Sequence, residues 1–155
     1  MYKKILVPLD GSKLAECILD HVASISIGCH AKEVVFLTVM EPFHMPSGAD
    51  SAILNNEKIK QINTEIRAEA ENYLKKMIGR IKYEGVAMKS EVITGNPAEI
   101  IIDYATENEI DLIAIATHGR SGVSRWVWGS VADRVLRSVC IPVLMVRAPG
   151  CVPGV

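Results

Sequence analysis

Hydrophobic residues gather in short, almost unbroken runs over residues 4–9, 34–40, 112–116 and 142–146. Runs of this length, rich in Val, Ile and Leu and bounded by turn residues, predict strands, the first three of them buried on both faces. Residues 88–94 read differently, because Met88, Ser90, Val92 and Thr94 alternate with Lys89, Glu91 and Ile93. That more polar pattern predicts a strand at a sheet edge. Between the strands the apolar period changes to that of a helix. Ala15, Ile18, Leu19, Val22 and Ile25 recur at helical spacing, with Ser12 as the predicted cap and Gly28 as the predicted C-cap. Ile59, Ile62, Ile66, Ala70, Leu74, Met77 and Ile81 share one face of residues 57–84, the longest predicted helix. Asn96-Pro97-Ala98-Glu99 supplies a cap oxygen, a proline at the first helical position and a carboxylate three residues after the cap, so a helix is predicted to start there. Residues 130–137 predict another helix. Residues 41–56 carry Pro42, Pro46 and Gly48 without any period, which predicts a long loop of the kind that serves as a lid or binding loop.

Strands that alternate with helices imply right-handed crossovers and a parallel sheet. The expected fold is therefore α/β: one doubly wound, Rossmann-like domain with a five-stranded parallel sheet in the order 3-2-1-4-5 and helices on both faces. Residues 1–147 form this domain and residues 148–155 are expected to be a frayed tail. Ligands of such sheets sit at the carboxyl ends of the strands, where the order reverses, which puts Asp10 and residues 116–119 beside the crevice.

Composition narrows the function classes. A net charge of −1 leaves no electrostatic footprint for a polyanion, and Lys75, Lys76 and Lys82 are interleaved with Glu69, Glu71 and Glu84. No nucleic acid partner is expected. No run is long enough to cross a bilayer, and Lys3-Lys4 lead straight into a strand rather than into a signal peptide, so a cytoplasmic location is expected. Cys17, Cys29, Cys140 and Cys151 lack CxxC spacing and read as reduced packing residues, and His21, His30, His44 and His118 form no spaced metal pair.

The candidate chemistry lies in residues 116–131, Ala-Thr-His-Gly-Arg-Ser-Gly-Val-Ser-Arg-Trp-Val-Trp-Gly-Ser-Val, between the fourth strand and a helix start. Glycines let backbone amides approach a ligand, and Gly129-Ser130 at a helix N-terminus offers free N–H donors, a favourable dipole and a hydroxyl for a phosphate. Arg120 adds charge. The same features also suit a plain turn with Ser130 as a cap, and Trp126 and Trp128 are expected to pack on the core. Neither G-x-x-x-x-G-K-[ST] nor G-x-G-x-x-G occurs. Asp10-Gly11-Ser12 lacks, at Ser12, the second acid that an aspartyl-phosphate enzyme uses on its leaving group.

This stretch, the opening Ile5-Leu6-Val7-Pro8-Leu9-Asp10-Gly11-Ser12 and the closing Ile141-Pro142-Val143-Leu144-Met145-Val146 together resemble the universal stress protein family over nearly the whole chain. Its nucleotide-binding branch carries Gly, two residues, Gly, nine residues, Gly, then Ser or Thr. Gly119, the nine residues 120–128 and Gly129-Ser130 match, and Ala116 stands where the first glycine would be. The resemblance implies binding of ATP or another adenine nucleotide, with magnesium or manganese carried by its phosphates. It implies that Asp10 contacts the ribose, that Val39 and the Leu9 backbone border the adenine, and that Gly119, Arg120, Gly129, Ser130 and Val131 hold the phosphates. It also implies a stress-response regulator with an unidentified protein partner. Hydrolysis, without a Walker lysine or a residue placed to activate water, is expected to be slow at most. A nucleotide-free interaction module, with Ala116 closing the site, is the alternative, and a small-substrate phosphohydrolase a distant third. The last strand, running from Pro142 to Val146, would be an apolar edge, and a homodimer through it is expected both from that exposure and from the resemblance.

Overall fold

The computed structural model describes residues 1–42, 56–117 and 130–147. Within them the chain forms β1 (Lys4–Pro8), a 3-10 turn (Ala15–Ile18), α1 (Leu19–Gly28), β2 (Glu33–Met40), α2 (Asn56–Arg80), β3 (Ala87–Thr94), α3 (Pro97–Glu107), β4 (Leu112–Thr117), α4 (Ser130–Ser138) and β5 (Val143–Arg147). The five strands make one parallel sheet in the order β3-β2-β1-β4-β5, the expected doubly wound arrangement. Side chains alternate across it. Ile5, Val7, Val34 and Phe36 pack with Ile18, Val22, Leu74 and Met77 on the α1/α2 face. Leu6, Val35, Leu37 and Ile113 pack with Ile101, Tyr104, Ala132 and Val135 on the α3/α4 face. Burial on both faces is why β1, β2 and β4 read as continuous apolar runs.

Several local expectations are refined. Ser12 does not hold the cap position: its Oγ accepts the Ala15 N–H at 3.1 Å from the turn before the helical segment, Leu14 precedes the 3-10 turn, and the α-helix starts only at Leu19. Gly28 is the last helical residue rather than the turn beyond it. Cys29 is the C-cap, donating its N–H to Ile25 O, and His30 takes the left-handed conformation at φ 52°. The longest helix stops at Arg80, short of residue 84, because Tyr83 turns inward to donate its hydroxyl to Leu19 O at 3.0 Å and Gly85 turns the chain at φ 74°. Asn96 caps α3 as expected, accepting the N–H groups of Ala98 and Glu99. The Glu99 carboxylate does not complete the cap by reaching back to Asn96; it accepts from Arg134 of α4. Cys140 is exposed rather than packed, and β5 begins one residue after Pro142.

β3 is the edge strand its polar pattern predicts, and it carries its own protection. Arg67 of α2 donates to Val92 O at 3.1 Å, and Lys89 pairs with Glu33 on the neighbouring strand. Salt bridges from Lys89 and Lys4 hold the Glu33 carboxyl below the usual range. β5 is the opposite edge. Val143, Leu144, Met145 and Val146 are all half-buried there, where the strands inside the sheet are sealed.

Candidate functional site

The central pair of strands parts company before the sheet ends. β1 stays in register with β2 through Pro8↔Leu37, and Leu9 carries the pairing further by donating its N–H to Leu37 O at 2.8 Å. β4 stays with β5 through Thr117↔Arg147. Between β1 and β4, however, the register covers only Ile5↔Leu112 and Leu6↔Ile113. Pro8 gives the reason. In a parallel strand alternate residues point their backbone groups to opposite neighbours. Leu9 addresses β2 and Lys4 accepts from Asp111 on the β4 side, so Pro8 faces β4 and has no N–H where the next rung would form. The sheet is split at its carboxyl end, at the point where the strand order reverses.

A crevice of about 260 Å³ occupies the split. Leu37 and Val39 of β2, Pro97 and Ile101 of α3 and Ile115 of β4 wall it on one side, and Ala15 and Ala116 on the other. Asp10 stands at the mouth. Its Oδ1 accepts the Ser12 N–H at 2.9 Å, and Gly11 makes this tight turn at φ 81°, a conformation that strains other residues. Ser130, Val131 and Ala132, the first turn of α4, close the far end. That turn brings backbone N–H groups that have no acceptor within the helix, and the positive end of the helix dipole. Beneath the mouth, on the α2 side, burial and then the negative charges of Glu16 and Asp10 hold the Tyr73 phenol above its ordinary range. The arrangement offers apolar walls for a flat group, a carboxylate for hydroxyls and a helix N-terminus for an anion.

Leu9, Asp10, Val39, Ala116, Ser130 and Val131, all singled out from the sequence, line this one crevice. Gly119, Arg120 and Gly129 lie outside the described residues, as do His118, Trp126, Trp128, residues 43–55 and the tail at 148–155. Sequence reasoning missed Pro8, Ala15, Pro97 and Ile101. Pro8 was open to detection, since a proline inside an otherwise buried parallel run forces a break in pairing on one side. Pro97 was legible only as a helix start. That it faces the crevice depends on how α3 crosses the sheet. Ala116 belongs to the α1/α2 side of β4, with Ala114 and its register partner Val146, across the crevice from the wall built by Val39, Pro97 and Ile101.

A sequence profile described as the Universal stress protein family matches residues 1–147. The chain belongs to that family. Universal stress protein MJ0531 of Methanocaldococcus jannaschii is 31% identical over 150 residues, an alignment that takes in 96% of this chain and 84% of that protein. The solved structure of MJ0577, from the same organism, superimposes with a TM-score of 0.78 at 29% identity, covering 97% of this chain and 99% of that one. A universal stress protein family member from Arabidopsis thaliana, solved with AMP bound, shares the fold at a TM-score of 0.65 and 13% identity, covering 96% of this chain and 93% of its own. As a universal stress protein the chain has the family's sheet order and, among its described residues, no helix long and apolar enough to cross a membrane.

Proposed function

We propose that this universal stress protein is an adenine-nucleotide-binding regulator of the stress response, with ATP as its ligand and the crevice between β1 and β4 as its site. The observation that carries the reading is the convergence of Leu9, Asp10, Val39, Ala116, Ser130 and Val131, residues far apart in the chain, on one crevice at the switch point. The base lies against Val39 and the Leu9 backbone, Asp10 accepts from the ribose hydroxyls, and the phosphates lie at the N-terminus of α4. Gly119, Arg120 and Gly129 complete the phosphate side by their place in the sequence motif. The AMP held by the plant relative supports an adenine nucleotide as the ligand class. Magnesium or manganese arrives with the phosphates, where it neutralises their charge. Hydrolysis is slow because the motif has no Walker lysine and, among the described residues, none at the crevice is placed to activate water. Ala116, in place of the motif's first glycine, lies across the crevice from the wall of Val39, Pro97 and Ile101 against which the base is laid.

The test is the nucleotide content of the purified protein, released by denaturation and separated on a column, with Gly129→Val prepared alongside. ATP or ADP is expected in the wild type and absent from the variant. A wild type that is empty and also ignores millimolar ATP would refute the site, and the dimer surface would become the place to look for function.

The chain forms a homodimer through β5 in this reading, with the regulatory partner meeting the paired surface. Support comes from the half-buried apolar residues Val143, Leu144, Met145 and Val146 of this edge strand, which a second copy would cover. Sedimentation should give twice the chain mass of 16.9 kDa for the wild type and the monomer mass for Val146→Lys. A monomeric wild type at tens of micromolar, of the order where proteins of this kind are handled, would exclude this edge as a stable interface.

A further inference from the structure

We propose that the outer edge of β3 is a docking site for an extended segment of a partner protein, which adds to the sheet as a sixth strand and places one apolar and one acidic side chain beneath α2. β3 lies at the opposite edge from β5, so the site stays open in the homodimer proposed above and needs no nucleotide. A groove of about 600 Å³ runs between α2 and β3, a volume within the range of about 300–1,000 Å³ usual for binding sites. Leu74 and Ile78 of α2 and Met88 and Val92 of β3 give it apolar walls. Alternate residues of a parallel strand turn their backbone groups to opposite sides. Ala87 and Gly95 donate their N–H groups to Lys32 O and Met40 O on the β2 side, so Met88, Ser90 and Val92 turn theirs outward, to the open edge. Among the described residues, only the Val92 carbonyl of these outward groups has a partner, the Arg67 guanidinium at 3.1 Å. Arg67 thus shields one rung and leaves those of Met88 and Ser90 open to the main chain of an added strand.

The groove also specifies what the added strand carries. Ser90 stands in register with Phe36 on the face that α2 covers, yet Phe36 is fully buried and Ser90 is exposed. The row of side chains beneath α2 therefore stops one place short. A residue opposite Ser90 on a sixth strand continues that row into the space beside Leu74, Ile78, Met88 and Val92, where an apolar side chain suits the walls. The next side chain on the same face comes two residues on, about 7 Å along the groove. The charge on offer there is positive. Glu71 is engaged by Arg67 at 2.9 Å, and Glu91 carries its carboxylate to the other face of the sheet, where Tyr104 donates to it at 2.8 Å. Lys75 lines the groove and has no ion pair among the described residues. An acidic side chain two places from the apolar one pairs with it. A second copy of β3 fits less well, since the residues it presents on this face are Met88, Ser90, Val92 and Thr94, with no acid among them.

The experiment selects a phage-displayed library of random segments, each of the 8 residues that β3 has, on the full-length protein. The most enriched sequence is made as a peptide with blocked ends and titrated by fluorescence anisotropy. Selected sequences are expected to alternate and to carry an apolar and an acidic residue two places apart. Ser90→Pro is expected to weaken the peptide at least about tenfold, because it removes an outward N–H that the fold itself does not use. Lys75→Glu weakens it by about five- to tenfold, and the difference shrinks at high salt, as for any exposed charge pair. Val146→Lys, at the far edge, leaves the affinity within about twofold. Circular dichroism checks that each variant keeps the wild-type fold, and if Ser90→Pro does not, Ser90→Leu replaces it, filling the gap with its own side chain and weakening the peptide to a similar extent. A library that enriches no sequence, or a peptide whose affinity survives either the Ser90 or the Lys75 substitution, overturns the inference. So does wild-type self-association that the Ser90 substitution abolishes, which gives the edge to a second copy instead.

Discussion

Replacing Phe36 with alanine is expected to lower the unfolding free energy by about 3–5 kcal/mol. Phe36 is fully buried near the middle of β2 on the α1/α2 face. Its ring lies 6.4 Å from that of Tyr83 in a tilted arrangement, and Tyr83 in turn holds α1 through its bond to Leu19 O. Removing the ring leaves a cavity bounded by a strand sealed on both sides, which the main chain of a central strand cannot collapse to fill. The loss should appear as a lower urea midpoint at an unchanged slope. A shift corresponding to under about 1 kcal/mol would mean that the α1/α2 face is loosely packed, against the burial seen there.

Gly95→Ala is the second large effect, expected at about 1–3 kcal/mol of destabilisation. Gly95 closes β3, donating its N–H to Met40 O at 2.9 Å and leading directly into the Asn96 cap. Its φ is 158°, and a Cβ added there would meet Ile100 Cγ1 at 2.8 Å and Cδ1 at 3.0 Å. Ile100 lies in the first turn of α3, so the clash pushes on the helix that carries Pro97 and Ile101 into the crevice. Gly79→Ala is the matched control. It lies in α2 with nothing within 4 Å of the added carbon, and it should be neutral or stabilising by up to about 1 kcal/mol. Thermal unfolding of the two variants should therefore move in opposite directions. Equal shifts would show that the Ile100 contact relaxes without cost.

The contrast between these glycines illustrates where sequence reading stops. Gly79 reads as an interior position of a helix and Gly95 as the turn between a strand and a helix start, but nothing local says what a methyl would meet at either. Gly79 lies in a helix that tolerates a methyl, whereas Gly95 is hemmed in by a residue that only the α3 start brings back over it. Gly28 teaches the same lesson. Its position at the end of a helical period made it the natural C-cap, yet the helix runs through it and His30 makes the turn, because Lys32 and Glu33 must both return to donate to Lys3 O. Glu99 had the right spacing for a capping box, but Arg134 on another helix competes for its carboxylate.

What the chain alone determined is the part of the structure that follows from periodicity and local chemistry. The buried runs, the helical faces, the Asn96-Pro97 start and the polar edge strand all appear as read, because burial on one or both faces constrains each residue according to its own element. Alternation of the elements implies a parallel sheet with right-handed crossovers, and 3-2-1-4-5 is one of the common orders of such sheets, the choice among them being made by how the elements pack. The candidate site was legible as a set of residues: Asp10, Val39, Ala116 and Ser130 stand at the ends of strands or the start of a helix, and the switch-point rule brings such ends together. Tertiary structure alone decided how they are arranged. The gap between β1 and β4, the side of the crevice on which Ala116 lies, the wall supplied by Pro97 and Ile101 and the pairing of Glu99 with Arg134 each depend on two elements distant in the chain. Such contacts are set by packing between elements, and packing leaves no periodic mark on either partner.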